Sequence, residues 1–164
     1  IWGYDENVMK AAGKAGDGVV WVMGAATWNS DAPGIKLVHE IAKTADPNAS
    51  YQLTHYIRGL CSFFFMKEAM EWADKNGGIT GPNVKKGMYQ KKNWVPAGLE
   101  GVCPEGTWSE ADHRGFSRVL LYRGIVKADA AADAQIPQLI AAGTIGMEKV
   151  FEVDVPRKPE WLGW

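Results

Sequence analysis

Eight tryptophans in 164 residues exceed ordinary usage, and Trp2 and Trp28 fall in loops at element ends where no core obviously claims them. Indole rings in such places supply apolar or stacking walls for a small molecule. Trp28 belongs to the run Gly24-Ala25-Ala26-Thr27-Trp28-Asn29, whose small residues let a ligand approach the backbone and whose Thr27 hydroxyl can donate a hydrogen bond. Tyr51, His55 and Tyr56 gather around the start of a long apolar helix, where free N–H groups and the positive dipole end favour an anion or a carbonyl. Tyr56 lies on the apolar stripe of that helix; Tyr51 and His55 lie off it and are free to face a cleft.

Residues 107–115 hold a hydroxyl, two carboxylates, an imidazole and a guanidinium, and Asp112 beside His113 suggests half of a catalytic triad. Adjacent side chains generally point apart, however, and no Ser or Cys stands in a nucleophile elbow. Phosphate loops and paired-His metal motifs are missing as well. We expect no enzyme, metal or cofactor. A hydrolase using Asp112 and His113 is the rival, and a loop pinned by an Asp–Arg pair is the structural expectation. Lys85, Lys86, Lys91 and Lys92 read as a solvated helix face. A net charge of −1 and a pI near 6.3 give no field to draw nucleic acid or acidic membranes. Cys61 and Cys103 fit no metal spacing; a disulfide and a buried free thiol are both open.

The elements that must position these groups follow from capping and periodicity. Asp5 caps a short helix over residues 5–15. Residues 19–23, an unbroken apolar run between glycines, read as a strand buried on both faces at the centre of a parallel sheet. Helices are expected over 35–44, over 54–75 with Tyr56, Leu60, Phe63, Phe64, Met70 and Ala73 buried and Thr54 as cap, and from Thr80 to about residue 90. A loop then fills 94–106. A strand at 116–125, a short helix at 136–142 and an edge strand at 150–155 complete the chain. With only these three strands, the first of them central, the fold class is α/β and the sheet needs more strands than residues 1–164 encode. The opening Ile1-Trp2-Gly3-Tyr4 lacks a start Met and a signal-like segment, which leads us to expect that upstream chain has been removed.

Several motifs occur together in a telling order. They are Ala12-Gly13-Lys14-Ala15-Gly16-Asp17-Gly18 before an apolar strand, Tyr56 opening a helix that contains Glu68-Ala69, residues 107–115, and the closing Pro156-Arg157-Lys158-Pro159-Glu160-Trp161-Leu162-Gly163-Trp164. In that order the chain resembles bacterial ABC-transporter substrate-binding proteins, specifically the branched-chain amino acid (Leu/Ile/Val) binding family. The resemblance implies part of a two-lobed type I periplasmic-binding fold, with parallel sheets flanked by helices and the ligand held between lobes. It divides the chain into residues 1–50 ending the second lobe, 51–115 returning to the first, and 116–164 crossing back. It also implies ligand contacts from residues 1–5 and from Tyr51. The acidic side chain that amino-acid binders place in the first loop falls here on Ile1 or Trp2. The set Trp2, Tyr4, Trp28 and Tyr51 therefore suits a branched or aromatic carboxylate, or an amide.

The resemblance implies the solute-binding component of an ABC importer, which closes its lobes on a small organic solute (a branched-chain amino acid, an amide or an aromatic carboxylate) and presents it to a membrane permease, in the periplasm or lipid-anchored outside the cell. Hinges are expected at 46–52 and 112–118. The partners expected are the solute, the permease, and a missing N-terminal half or a second copy; nucleic acid is not among them. A sensory module of the same fold, coupled to a regulator, is the alternative.

Overall fold

The Asp5 backbone is extended and its carboxylate accepts the Val8 N–H at 3.0 Å, so the helix starts where the sequence caps it. In the computed structural model, which describes residues 3–161, this helix is α1 (Glu6–Ala12), tightening into a 3-10 turn over Gly13–Gly16. Gly13, at φ +56°, leaves room that a Cβ would take from the Asp129 carboxylate, which caps Lys14 N at 2.8 Å. Strand β1 (Val20–Met23) follows, then α2 (Ile35–Ala45), which buries Ile35, Val38 and Ala42 at helical spacing.

The long helix α3 (Thr54–Lys75) has the expected bounds and a different buried face. Its seam is Thr54, Ile57, Cys61, Phe65, Ala69 and Ala73, while Phe63 is 61% exposed and Met70 is exposed too. Apolar residues surround this helix on every side, so periodicity does not select the face. Tertiary partners do: Cys61 is disulfide-bonded to Cys103, and Phe65 packs edge-on against Trp94 at 4.9 Å. Leu53, not Thr54, occupies the cap position; Thr54 is the first helical residue. After the Gly77-Gly78 stop, Thr80 caps α4 (Gly81–Met88). Helix α4 approaches α3 so closely that a Cβ on Gly87 would stand 2.4 Å from the Ala69 carbonyl oxygen.

The remaining strands are β2 (Gly106–Thr107), β3 (Gly115–Phe116), β4 (Arg118–Val126) and β5 (Ile145–Asp154), with α5 (Ile136–Ala141) between the last two. The α/β class holds, but the expected parallel pairing does not. The main sheet has the order β1-β4-β5 and both pairings are antiparallel, running Val20↔Arg123 to Met23↔Leu120 and Arg118↔Asp154 to Val126↔Ile145. Among the described residues β1 is an edge strand, hydrogen-bonded only to β4, and Val20 is 46% exposed. An unbroken apolar run reports that both faces are apolar; it carries no information on strand direction. Strand β5 begins five residues before its expected start, because Ile145–Met147 pairs with β4 directly after α5.

Apolar packing divides into two clusters. One joins Met9, Trp21, Met23, Tyr122, Val126, Leu139 and Ile145, with Tyr4 and Met147 against it. The other joins residues of 25–49 to α3 and to the loop carrying Trp94, Leu99 and Val102. The chain thus passes between clusters at Gly24, not near residue 50, and the stretch 46–52 stays with the second cluster through Ala49 and Tyr51.

Candidate functional site

The loop leaving β1 is held by its backbone: Ala26 N–H donates to the Val102 carbonyl at 2.8 Å, and Gly34 N–H to Glu100 at 2.9 Å. Trp28 turns inward. It is 5% exposed, its ring lies 4.1 Å from His39 and 6.2 Å from Tyr51, and its carbonyl meets His39 Nε2 at 3.0 Å. Trp28 is therefore a core residue that fixes the loop, and its neighbours Thr27 and Asn29 face the space beyond.

That space is a pair of adjoining cavities of about 560 and about 250 Å³, which share Thr27, Asn29 and Met147 as walls. The larger is the more polar of the two, bordered by Asp31, Tyr122, Lys149 and Glu152. The smaller is lined by Ile125, Ile140 and Ile145, with Tyr51 and Lys127 at its polar side. Both draw walls from both apolar clusters, so the cavity pair lies across the divide. Burial lifts the Tyr122 phenol above its ordinary pKa, against the lowering effect of a hydrogen bond with Thr27.

Behind Tyr51 stands Glu6, fully buried on the face of α1 that also carries Met9. Its Oε1 accepts the Tyr51 hydroxyl at 2.8 Å, the Thr54 N–H at 2.9 Å and the Thr54 hydroxyl at 2.7 Å. The α3 N-terminus, expected to favour an anion, is thus occupied by the chain's own carboxylate. Its Oε2 has no hydrogen-bond partner among the described residues. Burial, and then the charge and hydrogen bond of Glu6, push the Tyr51 phenol far above its usual range.

The remaining expected site residues scatter. Trp2 lies outside the described residues. Tyr4 packs on Trp21 at 4.8 Å and its hydroxyl donates to the Gly16 carbonyl, which ties α1 to the sheet. His55 faces away from the cavity pair: it pairs with Asp5 at 3.3 Å and borders a separate cavity of about 260 Å³ with Arg58, Ser62 and Phe116. Of the five that are described, only Thr27 and Tyr51 line the cavity pair. Sequence reasoning missed Glu6, Tyr122 and Met147, and named Asn29 only as the end of the Trp28 loop. Glu6 had one signal, its position three residues before Met9 on a short helix. The strand residues had none, because their cavity exists only once β4 and β5 pair.

Asp112 and His113 bond to different partners. Asp112 binds Arg114 at 2.8 Å and Arg157 at 2.9 Å, whereas His113 Nε2 meets the Tyr89 hydroxyl at 2.7 Å. Two of the four lysines are engaged, Lys85 with Glu110 and Lys91 with Glu68. No helix among the described residues is long and apolar enough to cross a membrane.

The α/β architecture resembles that of a periplasmic-binding protein domain. A solved structure described as a branched chain amino acid ABC transporter from Thermus thermophilus with bound valine superposes at a TM-score of 0.65 and 16% identity. The match covers 97% of this chain and 39% of that one, so the chain spans well under half of the length of the structure it resembles. No family model matches the chain, and no curated protein does.

Proposed function

We propose that this chain belongs to the extracytoplasmic solute-binding component of an ABC importer, periplasmic or lipid-anchored, which closes two lobes on a small organic solute. One observation carries this: the cavity pair at the exit of β1 takes its walls from both apolar clusters, so a solute there is enclosed only when the clusters are brought together. The fold likeness supports it. The smaller chamber suits a branched or aromatic tail against Ile125, Ile140, Ile145 and Met147, with Tyr51 as a wall and Thr27, Asn29 and Lys127 meeting a carboxylate or amide. In this proposal the clusters are the cores of the two lobes, Gly24 and Ser117 mark crossings between them, and a permease receives the closed form. A further half of the fold, or a second copy, completes the cleft.

Isothermal titration of the full-length protein with L-valine, L-leucine, phenylacetate and phenylacetamide tests the proposal. Saturable binding of at least one, with scattering showing compaction, is the expected result. Silence towards all four, or solute turnover, defeats it.

A further inference from the structure

We infer that Glu6, which lines neither cavity, is the positioning residue that sets Tyr51 as a cleft wall and thereby tunes solute affinity. The inference rests on the proposed solute binding and adds to it a residue that touches no solute.

Glu6 belongs to α1, whose Met9 packs in the first cluster, whereas Tyr51 packs against the second and Thr54 opens α3. Its three accepted hydrogen bonds therefore join the two clusters directly behind the cavity. The Thr54 hydroxyl also lies 3.7 Å from the sulfur of Met147, another residue lining the cavity, so the same carboxylate oxygen bonds Tyr51 and the hydroxyl next to Met147. A fully buried carboxylate is costly unless its acceptors are used, and here all three donors converge on Oε1 while Oε2 stays unpartnered among the described residues. Those three bonds hold a particular phenol and a particular helix start in place. The arrangement also makes a specific demand: an amide that keeps the Oε1 acceptor can do most of the same work.

The test is titration of the wild type with L-valine, phenylacetate and phenylacetamide, followed by variants measured with whichever binds. Glu6→Ala should weaken binding about tenfold, because Tyr51 loses the acceptor that fixes its ring at the cavity wall. E6Q should recover most of that loss. Tyr51→Phe should weaken binding comparably, and the double variant E6A/Y51F should be no weaker than the poorer single one, because both act through the same contact. Met9→Ala, on the same helix face, controls for destabilised α1 and should lower the melting temperature without moving affinity. If Glu6→Ala melts lower but binds as the wild type does, Glu6 is merely structural and the inference is overturned. Should Glu6→Ala not fold, unchanged affinity in Tyr51→Phe overturns it equally. A wild type that binds none of the three solutes removes the proposed binding itself, and this inference with it.

Discussion

Arg157 and Asp112 meet 3.0 Å apart, Nε to Oδ2, across 45 residues of chain, and the contact holds the last described segment against the loop between β2 and β3. Arg157 Nη1 also donates to the carbonyls of Thr107 and Gly115 at 3.1 and 3.0 Å, the two residues paired across that ladder. One guanidinium thus buckles the tail to both sides of the turn. Arg157→Ala should release the tail to limited proteolysis near residue 156 and cost about 1–2 kcal/mol in urea unfolding. Unchanged cleavage would show that the tail is held by something else. Arg157→Lys should not restore the buckle, since a point charge cannot reach three acceptors in fork geometry.

Acid should act through carboxylates whose pKa folding depresses. For Glu68, burial acts upward, but hydrogen bonds from Lys91, from the Ala97 N–H and from Trp94 outweigh it. For Asp112 the Arg114 hydrogen bond dominates, with Arg157 adding to it against burial, and the carboxyl is held well below the usual range. Groups depressed in the folded state contribute fully above their unfolded values, ~4.3 and ~3.9, and the contribution disappears as pH falls through the folded ones. Urea midpoints should be insensitive to this pair above about pH 5 and drop below about pH 4. The double variant E68Q/D112N should flatten the acid limb, and an equally steep limb would assign the loss to other groups.

Much of the chain was legible because local chemistry alone decides it. Asp5, Thr80 and the Gly77-Gly78 pair set helix ends through caps and positive φ, which do not depend on distant partners. Strand direction was not legible. The run 19–23 is apolar on both faces whether its neighbour runs parallel or antiparallel, and only the pairing with residues 120–123 decides. Trp28 misled for a related reason: a lone indole in a small-residue loop has the same sequence signature whether it faces a cavity or plugs the space over His39 and Tyr51. Glu6 hid because an acidic first turn is the common solvent-facing arrangement, and the donors that bury it lie some 45 residues away.

The rotated face of α3 gives a sharp contrast between two residues two positions apart. Phe65 is 3% exposed and touches Trp94, Trp108 and Phe116, whereas Phe63 is exposed and meets Phe64. Phe65→Ala should cost about 3–5 kcal/mol, with a cavity left among three aromatic rings. Phe63→Ala should cost about 0.5 kcal/mol or less in a monomeric sample. Reversed magnitudes would restore the face that periodicity suggests.

The cleft itself is tested by two neighbours in one loop whose roles the geometry separates. Trp28 is buried against His39 and Tyr51, so Trp28→Ala should lower stability by about 3–5 kcal/mol and disturb binding only through the loop it supports. Asn29 borders both cavities and is solvent-exposed, so Asn29→Ala should leave the melting temperature within about 2 °C and weaken the bound solute several-fold. Position 28 as a stability residue and position 29 as an affinity residue is the pattern expected if the solute sits between Thr27 and Met147. If Asn29→Ala binds normally while substitutions around His55 and Arg58 abolish binding, the solute occupies the other cavity, and the walls assigned here serve only to seat the loop.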